Sequence, residues 1–454
     1  MEIVILGAGG VGSTLADLLA KESEENDITV IDANPSYLSS VEEHADIKTI
    51  QGHCSHPDVL VKAGIQKADI VVAVSGSDEI NLVACLIAKT LSTNIRTIAR
   101  IRDTSYAKKD TKGTILQIVD KIISPEQLLT DYIQRLIDTP GSLQVLDFAN
   151  GQLNLVGVKA VRGGPLIGHH ISDLKKHMPK VDTRIAAIFR QDQAVIPSGD
   201  TIIEAGDEVF FIAKKNDISS VINEMRKKED AYKRIMIAGG GKVGSRLAKA
   251  IEHNHQVKVI ETNKERAKYI AGNLKSTIVL HGDSSDKLLL HEENIESMDI
   301  FASLTNDDET NIMSCLLAKE MGAHKLISLI NNPAYVDLVQ GRGIDIAIAP
   351  SQITIGTLLA EVAGEGVETI YSLRRGAAEA IETIVKKNQD KEKCVIGKRL
   401  GDVLVPDGVT IGAIMHDNEA NIAHNDTIIC ENDHLILFLT DKNILPEIKS
   451  IFSP

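Results

Sequence analysis

Ile3-Val4-Ile5-Leu6-Gly7-Ala8-Gly9-Gly10-Val11-Gly12 opens the chain, and Ile235-Met236-Ile237-Ala238-Gly239-Gly240-Gly241-Lys242-Val243-Gly244 repeats the pattern half a chain later. Each is an apolar tetrad running into G-x-G-x-x-G and then into an apolar-rich segment at helical spacing. That order specifies a buried strand, a tight turn and a helix N-terminus. Gly7 and Gly239 permit the turn, Gly9 and Gly241 let the backbone approach a pyrophosphate, and Gly12 and Gly244 let helix and strand pack closely. The residues between them are Ala8, Gly10 and Val11 in one copy and Gly240, Lys242 and Val243 in the other. They complete loops whose unpaired N–H groups face the phosphates. An acidic residue follows at the expected distance: Asp32, 20 residues past Gly12, closes the run Ile28 to Ile31, and Glu261, 17 past Gly244, closes Val257 to Ile260. A carboxylate there accepts the ribose hydroxyls of an adenosine and repels a 2′-phosphate. The competing reading is a doubly wound fold whose loop binds nothing, because fold alone does not prescribe function.

Composition frames the search. The 454 residues are 43% hydrophobic, enough for several small cores. No apolar run reaches membrane-spanning length, and Met1-Glu2 leads straight into a strand rather than a signal peptide. The five cysteines (Cys54, Cys85, Cys315, Cys394, Cys430) are scattered and unpatterned, as expected of a reducing compartment. A net charge of −14, no Trp and 3% aromatic residues argue against nucleic acid as a partner. An acidic surface suits instead the Lys/Arg-rich cytoplasmic face of a membrane protein.

The duplication extends through the chain. Residues 1 to about 123 alternate apolar strands with amphipathic helices, and Val71 to Val74 reads as the fourth parallel strand. Ser75 to Asn81 then makes a turn and helix cap. Leu304 to Asn311 does the same in the second half, with Asp78 falling on Asp308, Asn81 on Asn311 and Cys85 on Cys315. A repeat this long means duplicated domains rather than a solenoid. Each sheet unit leads into a helix, opened by Ser124-Pro125 and by Pro350-Ser351. One stripe carries Leu128, Leu129, Tyr132, Ile133, Leu136 and Ile137; the other carries Ile355, Leu358, Leu359 and Val362. Such a stripe covers either the sheet before it or a sister domain. Pro140-Gly141 and Gly364-Glu365-Gly366 end these helices. Two small modules of βαββ type follow and also match: Asp200 to Ile203 falls on Asp426 to Ile429, and Asp207 on Asp433. Met225 to Asp230 is a charged linker. The fold class is thus α/β, with two doubly wound Rossmann-like parallel-sheet domains, each followed by a small α+β domain.

At this resolution of detail the chain resembles the peripheral NAD-binding subunits of Trk-type potassium-uptake systems, which carry two domains that regulate conductance of K⁺ (RCK). The resemblance spans essentially all of the chain. It is carried by Gln51-Gly52-His53-Cys54-Ser55-His56-Pro57, Ile123 to Leu128, Val181 to Arg190, Asn306-Asp307-Asp308-Glu309, Ala334 to Gly341 and Leu373 to Ala380. It implies RCK N-terminal domains at 1–123 and 232–348, crossover helices at 124–142 and 349–366, and RCK C-terminal domains at 143–227 and 367–454. It further implies NAD(H), with ATP and ADP as competing ligands. The subunit is expected to be cytoplasmic, peripheral to the inner face of the membrane, and docked on a membrane-embedded potassium translocator. The sheet domains are expected to assemble as a ring, a tetramer giving eight RCK domains.

The two glycine loops are not expected to be equivalent. Ala73-Val74 at the end of the fourth strand would face the adenosine, and Arg100, ending the next strand, would reach the phosphates. Leu329 stands where Arg100 does in the second copy, leaving Lys242 to supply charge. His53, Cys54, His56 and Asp58 invite a metal reading, but the other copy has Gly282-Asp283-Ser284-Ser285-Asp286, so a loop beside the adenine is expected and no metal. His169-His170 reads as solvated surface. The enzyme alternative, an NAD-dependent oxidoreductase, needs a substrate domain with an acid/base beside the nicotinamide. The small modules are too short for that, so no catalytic residue is assigned.

Overall fold

The computed structural model describes residues 1–454 except 23–25, 43–46, 108–117, 192, 196, 364–365, 375–376, 389–393, 441–443 and 454. The helix break at Gly364-Glu365 and the Arg375-Gly376 part of the last resemblance segment lie outside the described residues.

The first repeat comprises β1 (Glu2–Leu6), α1 (Gly10–Glu22), β2 (Asp27–Asp32), α2 (Pro35–Glu42), β3 (Ile47–Gln51) and α3 (Pro57–Lys62). It continues with β4 (Ile70–Ala73), α4 (Asp78–Leu91), β5 (Arg96–Arg100) and β6 (Lys121–Ile123). The strands form one sheet in the order β3-β2-β1-β4-β5-β6, every pair parallel. Helices cover both faces of such a sheet, which is why β1 and β4 are almost wholly apolar and buried. After α5 (Pro125–Asp138) come β7 (Ser142–Phe148), β8 (Leu153–Lys159), α6 (Leu174–His177), β9 (Thr183–Arg190), β10 (Gln193–Val195), β11 (Glu208–Lys214) and α7 (Ile218–Met225). These strands form an antiparallel sheet in the order β10-β9-β11-β8-β7. It has five strands and only a four-residue helix between β8 and β9, more sheet than a βαββ module. Two strands are additional, β7 and β10, and β10 escaped the sequence reading because it is three half-exposed or exposed residues with little apolar alternation.

The second repeat follows the same plan: β12 (Arg234–Ala238), α8 (Lys242–Ile251), β13 (Gln256–Glu261), α9 (Lys264–Asn273), β14 (Ile278–His281) and α10 (Lys287–Glu292). Then come β15 (Ile300–Ser303), α11 (Asp308–Glu320), β16 (Lys325–Leu329), α12 (Pro333–Val339) and β17 (Ile346–Ile348). Its sheet order, β14-β13-β12-β15-β16-β17, repeats the first. The matched helices α4 and α11 even share their caps, with Ser77 accepting from the Ile80 N–H and Asp307 from the Thr310 N–H. Next are α13 (Pro350–Ala363), the antiparallel pair β18 (Val367–Leu373) and β19 (Ala378–Ile384), then β20 (Val409–His416), β21 (Glu419–Ile422), β22 (His434–Leu439) and α14 (Leu445–Phe452). β20 pairs antiparallel with both β21 and β22.

The chain folds into two compact units that do not follow its halves. One holds Met1–Pro125, Ser351–Val395 and Asp441–Pro454; the other holds Glu126–Pro350 and Ile396–Thr440. Each helix that follows a parallel sheet therefore belongs to the unit of the other sheet. In the first unit, the Glu361 carboxylate on α13 accepts from Arg96 of β5 at 2.6 Å, its carbonyl accepts from the same guanidinium at 2.5 Å, and Lys121 of β6 pairs with it as well. In the second unit, Lys325 at the start of β16 donates to the Ser142 carbonyl at 2.7 Å, just past α5, and lies 5.6 Å from the centre of the Tyr232 ring. The helices that carry the apolar stripes thus belong with the sister sheet of the same chain. Leu129 is 3% exposed in the single chain, so its burial requires no second chain.

Candidate nucleotide-binding sites

Both glycine loops sit where the strand order reverses, between β1 and β4 and between β12 and β15, the crevice at which doubly wound sheets bind ligands. Gly7 has φ +110° and Gly239 φ +100°, conformations that favour glycine, and a side-chain carbon on Gly7 would lie 2.9 Å from the Ser75 backbone. A Cβ on Gly12 would stand 1.8 Å from the Gly7 carbonyl oxygen, and one on Gly244 2.0 Å from that of Gly239. Helix and strand close there. A Cβ on Gly9, Gly10 or Gly241, by contrast, would meet nothing within 4 Å. The loop is open on the side from which a pyrophosphate would approach, and Val11, Lys242 and Val243 begin the helices whose N-termini point there.

The acidic residues hold the loops. Asp32 accepts from the Ala8 N–H at 2.7 Å and the Asn34 N–H at 2.8 Å, one per oxygen. Glu261 accepts from the Gly240 N–H at 3.0 Å and the Asn263 N–H at 2.8 Å in the same way. A carboxylate has further lone pairs for hydroxyl donors, so residues of the first loop fit an adenosine ribose. Asp32 is half-buried there, whereas Glu261 is 4% exposed. In the second copy the Arg266 guanidinium lies 3.6 Å from the Glu261 carboxylate. A Cβ on Gly240 would meet the Ile270 side chain at 2.4 Å. Tyr37 and Val41 occupy the positions of Arg266 and Ile270 in the first copy, where Ala8 replaces Gly240. A larger residue on the helix is offset by a smaller one in the loop, and the result is a tighter lid over the second carboxylate.

The β4 and β15 sides carry a polar clamp that the sequence marked as repeated but assigned no role. Asn81 accepts from the Ser75 N–H at 3.0 Å and donates to the Arg100 carbonyl at 2.8 Å. Asn311 accepts from the Thr305 N–H at 3.0 Å and donates to the Leu329 carbonyl at 2.8 Å. Asp78 accepts from the Arg102 and Asp103 N–H groups, as Asp308 does from those of Asn331 and Asn332. These side chains tie the loop after one strand to the end of the next, directly beside buried Ala73 and Val74. An Asn and an Asp repeated at matched helix starts were the available signal, since such groups, when buried, take hydrogen-bond partners. Arg100 is half-buried at the end of β5, whereas Leu329 is buried.

In the loop after β3, Ser55 Oγ lies 2.9 Å from His53 Nδ1 and the His53 and His56 rings are 4.7 Å apart. Cys54 is buried, and burial, reinforced by the Asp32 charge, pushes its thiol up to about 12. Among the described residues, the His, Cys and Asp side chains that do converge lie elsewhere, at His416, Cys430 and Asp433. His169 and His170 are exposed.

A duplicated parallel sheet with a glycine loop and an acidic residue at each switch point defines the class: a protein with two dinucleotide-type folds. The TrkA-N domain family matches residues 3–125 and 235–350, and the TrkA-C domain family matches residues 155–226. The chain belongs to the TrkA family of potassium-uptake proteins. It is 50% identical over 455 residues to the Trk system potassium uptake protein TrkA of Halomonas elongata, spanning 100% of this chain and 98% of that one. Identity to the protein of the same name from Vibrio alginolyticus is 50% over 458 residues, and to that from Haemophilus influenzae 46% over 456, in both cases across 100% of this chain and 99% of the relative. None of these names is that of an enzyme. Solved structures share the fold. The GsuK RCK domain superimposes with a TM-score of 0.62 at 19% identity, over 99% of this chain and 94% of that one. The GsuK channel bound to NAD gives 0.61 at 17%, over 99% and 78%.

Proposed function

We propose that the chain is the nucleotide-sensing gating subunit of a Trk-type potassium-uptake system. It binds NAD(H) at its glycine loops, with ATP and ADP as competing ligands, and passes their occupancy to a membrane-embedded translocator. The observation that carries this is the first loop, where open space at Gly9 and Gly10 meets a half-buried Asp32 at the sheet's switch point. The GsuK channel, which shares the fold, binds NAD, and relatives at up to 50% identity are named for potassium uptake. Among the described residues no helix is long and apolar enough to cross a membrane. In this reading the conduction path belongs to a partner. The subunit works at the inner face of the cell membrane. The residues that hold nucleotide are Gly7 to Gly12, Asp32, Ala73, Val74 and Arg100, with Gly239 to Gly244 and Glu261 as a second, weaker set. The domain boundaries at 1–123, 143–227, 232–348 and 367–454, with crossover helices between, belong to the same reading.

A ring of four chains is part of this reading. Val83 and Leu86 on α4 and Met313 and Leu316 on α11 are exposed at matched positions, giving each repeat the same apolar outer face for a second copy to cover. A bound nucleotide shifts such a ring only as far as it binds one state better. Calorimetric titration of the chain with NADH, NAD⁺, ATP and ADP, together with potassium flux through the reconstituted partner, tests the proposal. Arg100→Ala should remove nucleotide control of flux while leaving fold and oligomer intact. Turnover of NADH by the pure chain at about 1 s⁻¹ or more with a small substrate would instead establish an oxidoreductase.

A further inference from the structure

The two small sheets keep the same buried aspartate in different company. Asp207 and Asp433 are each 1% exposed. In the first sheet Arg190, ending β9, spans its partners: Nε donates to Asp207 Oδ1 at 2.9 Å, Nη2 to Oδ2 at 2.8 Å, and Nη1 to Glu204 at 2.5 Å. The Glu204 N–H donates to the same aspartate at 2.9 Å. In the second sheet the turn is preserved, with the Cys430 N–H donating to Asp433 Oδ2 at 2.7 Å. Cys430 stands where Glu204 does, however, and His416, ending β20, stands where Arg190 does. His416 Nδ1 lies 2.6 Å from Asp433 Oδ1. Around a constant carboxylate, a guanidinium and a second carboxylate have been exchanged for an imidazole and a thiol.

That pair of exchanges has a chemical direction. The first copy faces its buried carboxylate with a permanent cation, which a desolvated charge requires. The second copy replaces the guanidinium with an imidazole, whose protonated form is favoured by its hydrogen bond to Asp433 and by the Asp417 charge, and with a thiol; their ligand atoms lie within 4.8 Å of one another and of the aspartate oxygen. Nitrogen, sulfur and one oxygen form a donor set for a borderline-soft tetrahedral ion, whereas calcium and magnesium take oxygen alone. We infer that His416, Cys430 and Asp433 bind a divalent ion of the zinc class, which takes the place that the Arg190 guanidinium holds in the first copy. The ion enters by opening the His416–Asp433 hydrogen bond: Nδ1 gives its proton to solvent while Nε2 keeps its own, and the Cys430 thiol gives its proton to solvent as the thiolate coordinates. Three protein ligands leave a fourth position to water. Asp417, 3.4 Å from His416 Nε2, is placed to orient the ring from outside. The ion would join the end of β20 to the turn entering β22.

The competing account makes the His416–Asp433 pair the whole substitute for Arg190, with Cys430 a bystander. Titration of the metal-free full-length chain with Co²⁺ separates the two. We expect one equivalent bound, with a thiolate-to-cobalt charge-transfer band that is lost in Cys430→Ser and in His416→Arg and kept in Cys394→Ser. Zn²⁺ should displace the cobalt and raise Tm in the wild type but not in His416→Arg, which restores the first copy's own cation and so keeps the fold. A wild-type chain without the band, a band surviving Cys430→Ser, or an equal Zn²⁺ effect on His416→Arg would each overturn the site.

Discussion

Asp32 and Glu261 accept from equivalent pairs of backbone N–H groups, yet one carboxylate is half-open and the other is buried, with Arg266 beside it and Ile270 against its glycine loop. The motif that announces a nucleotide site is therefore no measure of whether the site is open. The glycines and the acid set the frame of the loop. The helix after the acid, α2 or α9, decides what can reach it. The same lesson holds at the sheet's far side, where Arg96 finds a carboxylate on the exchanged helix and Lys325, at the matching position, finds a carbonyl and an aromatic ring.

The largest effect should come from the feature both copies share. Leu129→Asp places an unpaired charge in a buried helix face and should cost about 4 kcal/mol or more, read as loss of folded chain in thermal or urea melts. Disassembly into well-folded protomers would show instead that this face lies between chains. The nucleotide sites should then part company. Asp32→Ala should weaken nucleotide binding by about 1.5–3 kcal/mol, the loss of hydrogen bonds to a charged acceptor, whereas Glu261→Ala should change it little. Equal losses in calorimetry would erase the asymmetry.

Lys325 offers a comparison in pH. Burial, only partly offset by Glu229 and Asp345, lowers it from 10.5 to about 8. Between those values the unfolded chain holds more protons than the folded one, so stability rises with pH across that window. Lys325→Met should remove the rise. The wild-type stability relative to the variant should grow by up to about 1.4 kcal/mol per pH unit from pH 8 towards 10, measured by urea midpoints. A flat difference would mean that the ammonium is well solvated. The smallest effect should be at Arg266. Its exposed, 3.6 Å pairing with Glu261 is worth about 0.5 kcal/mol, so Arg266→Ala should tighten binding at the second loop two- to threefold. Weaker binding would make Arg266 a ligand of the phosphates.

Much of this was legible in the chain. The apolar tetrads before each G-x-G-x-x-G located β1 and β12, and Asp32 and Glu261 fell at strand ends where their oxygens hold the loop. The matched Asp78 and Asn81 betrayed the duplication, but their role needs the distance to Arg100 and the Ser75 turn, which no local pattern contains. The destination of the stripes on α5 and α13 also stayed open, because amphipathicity tells that a face is covered and not by what. The His416, Cys430 and Asp433 group was invisible for the same reason. Its members sit on a strand end and a turn with no ligand spacing between them, and only the pairing of β20 with β22 brings them together.

The exchanged helices change what the linker from Arg226 to Asp230 is for. Since each compact unit is assembled from both halves of the chain, the linker is not the bond that keeps the halves together. They are clasped, each lending the other a helix. A protease nick in the linker would leave the pair associated. The two halves expressed as separate polypeptides would recognise one another, while either half alone would present a bare sheet face and an orphaned apolar helix to water.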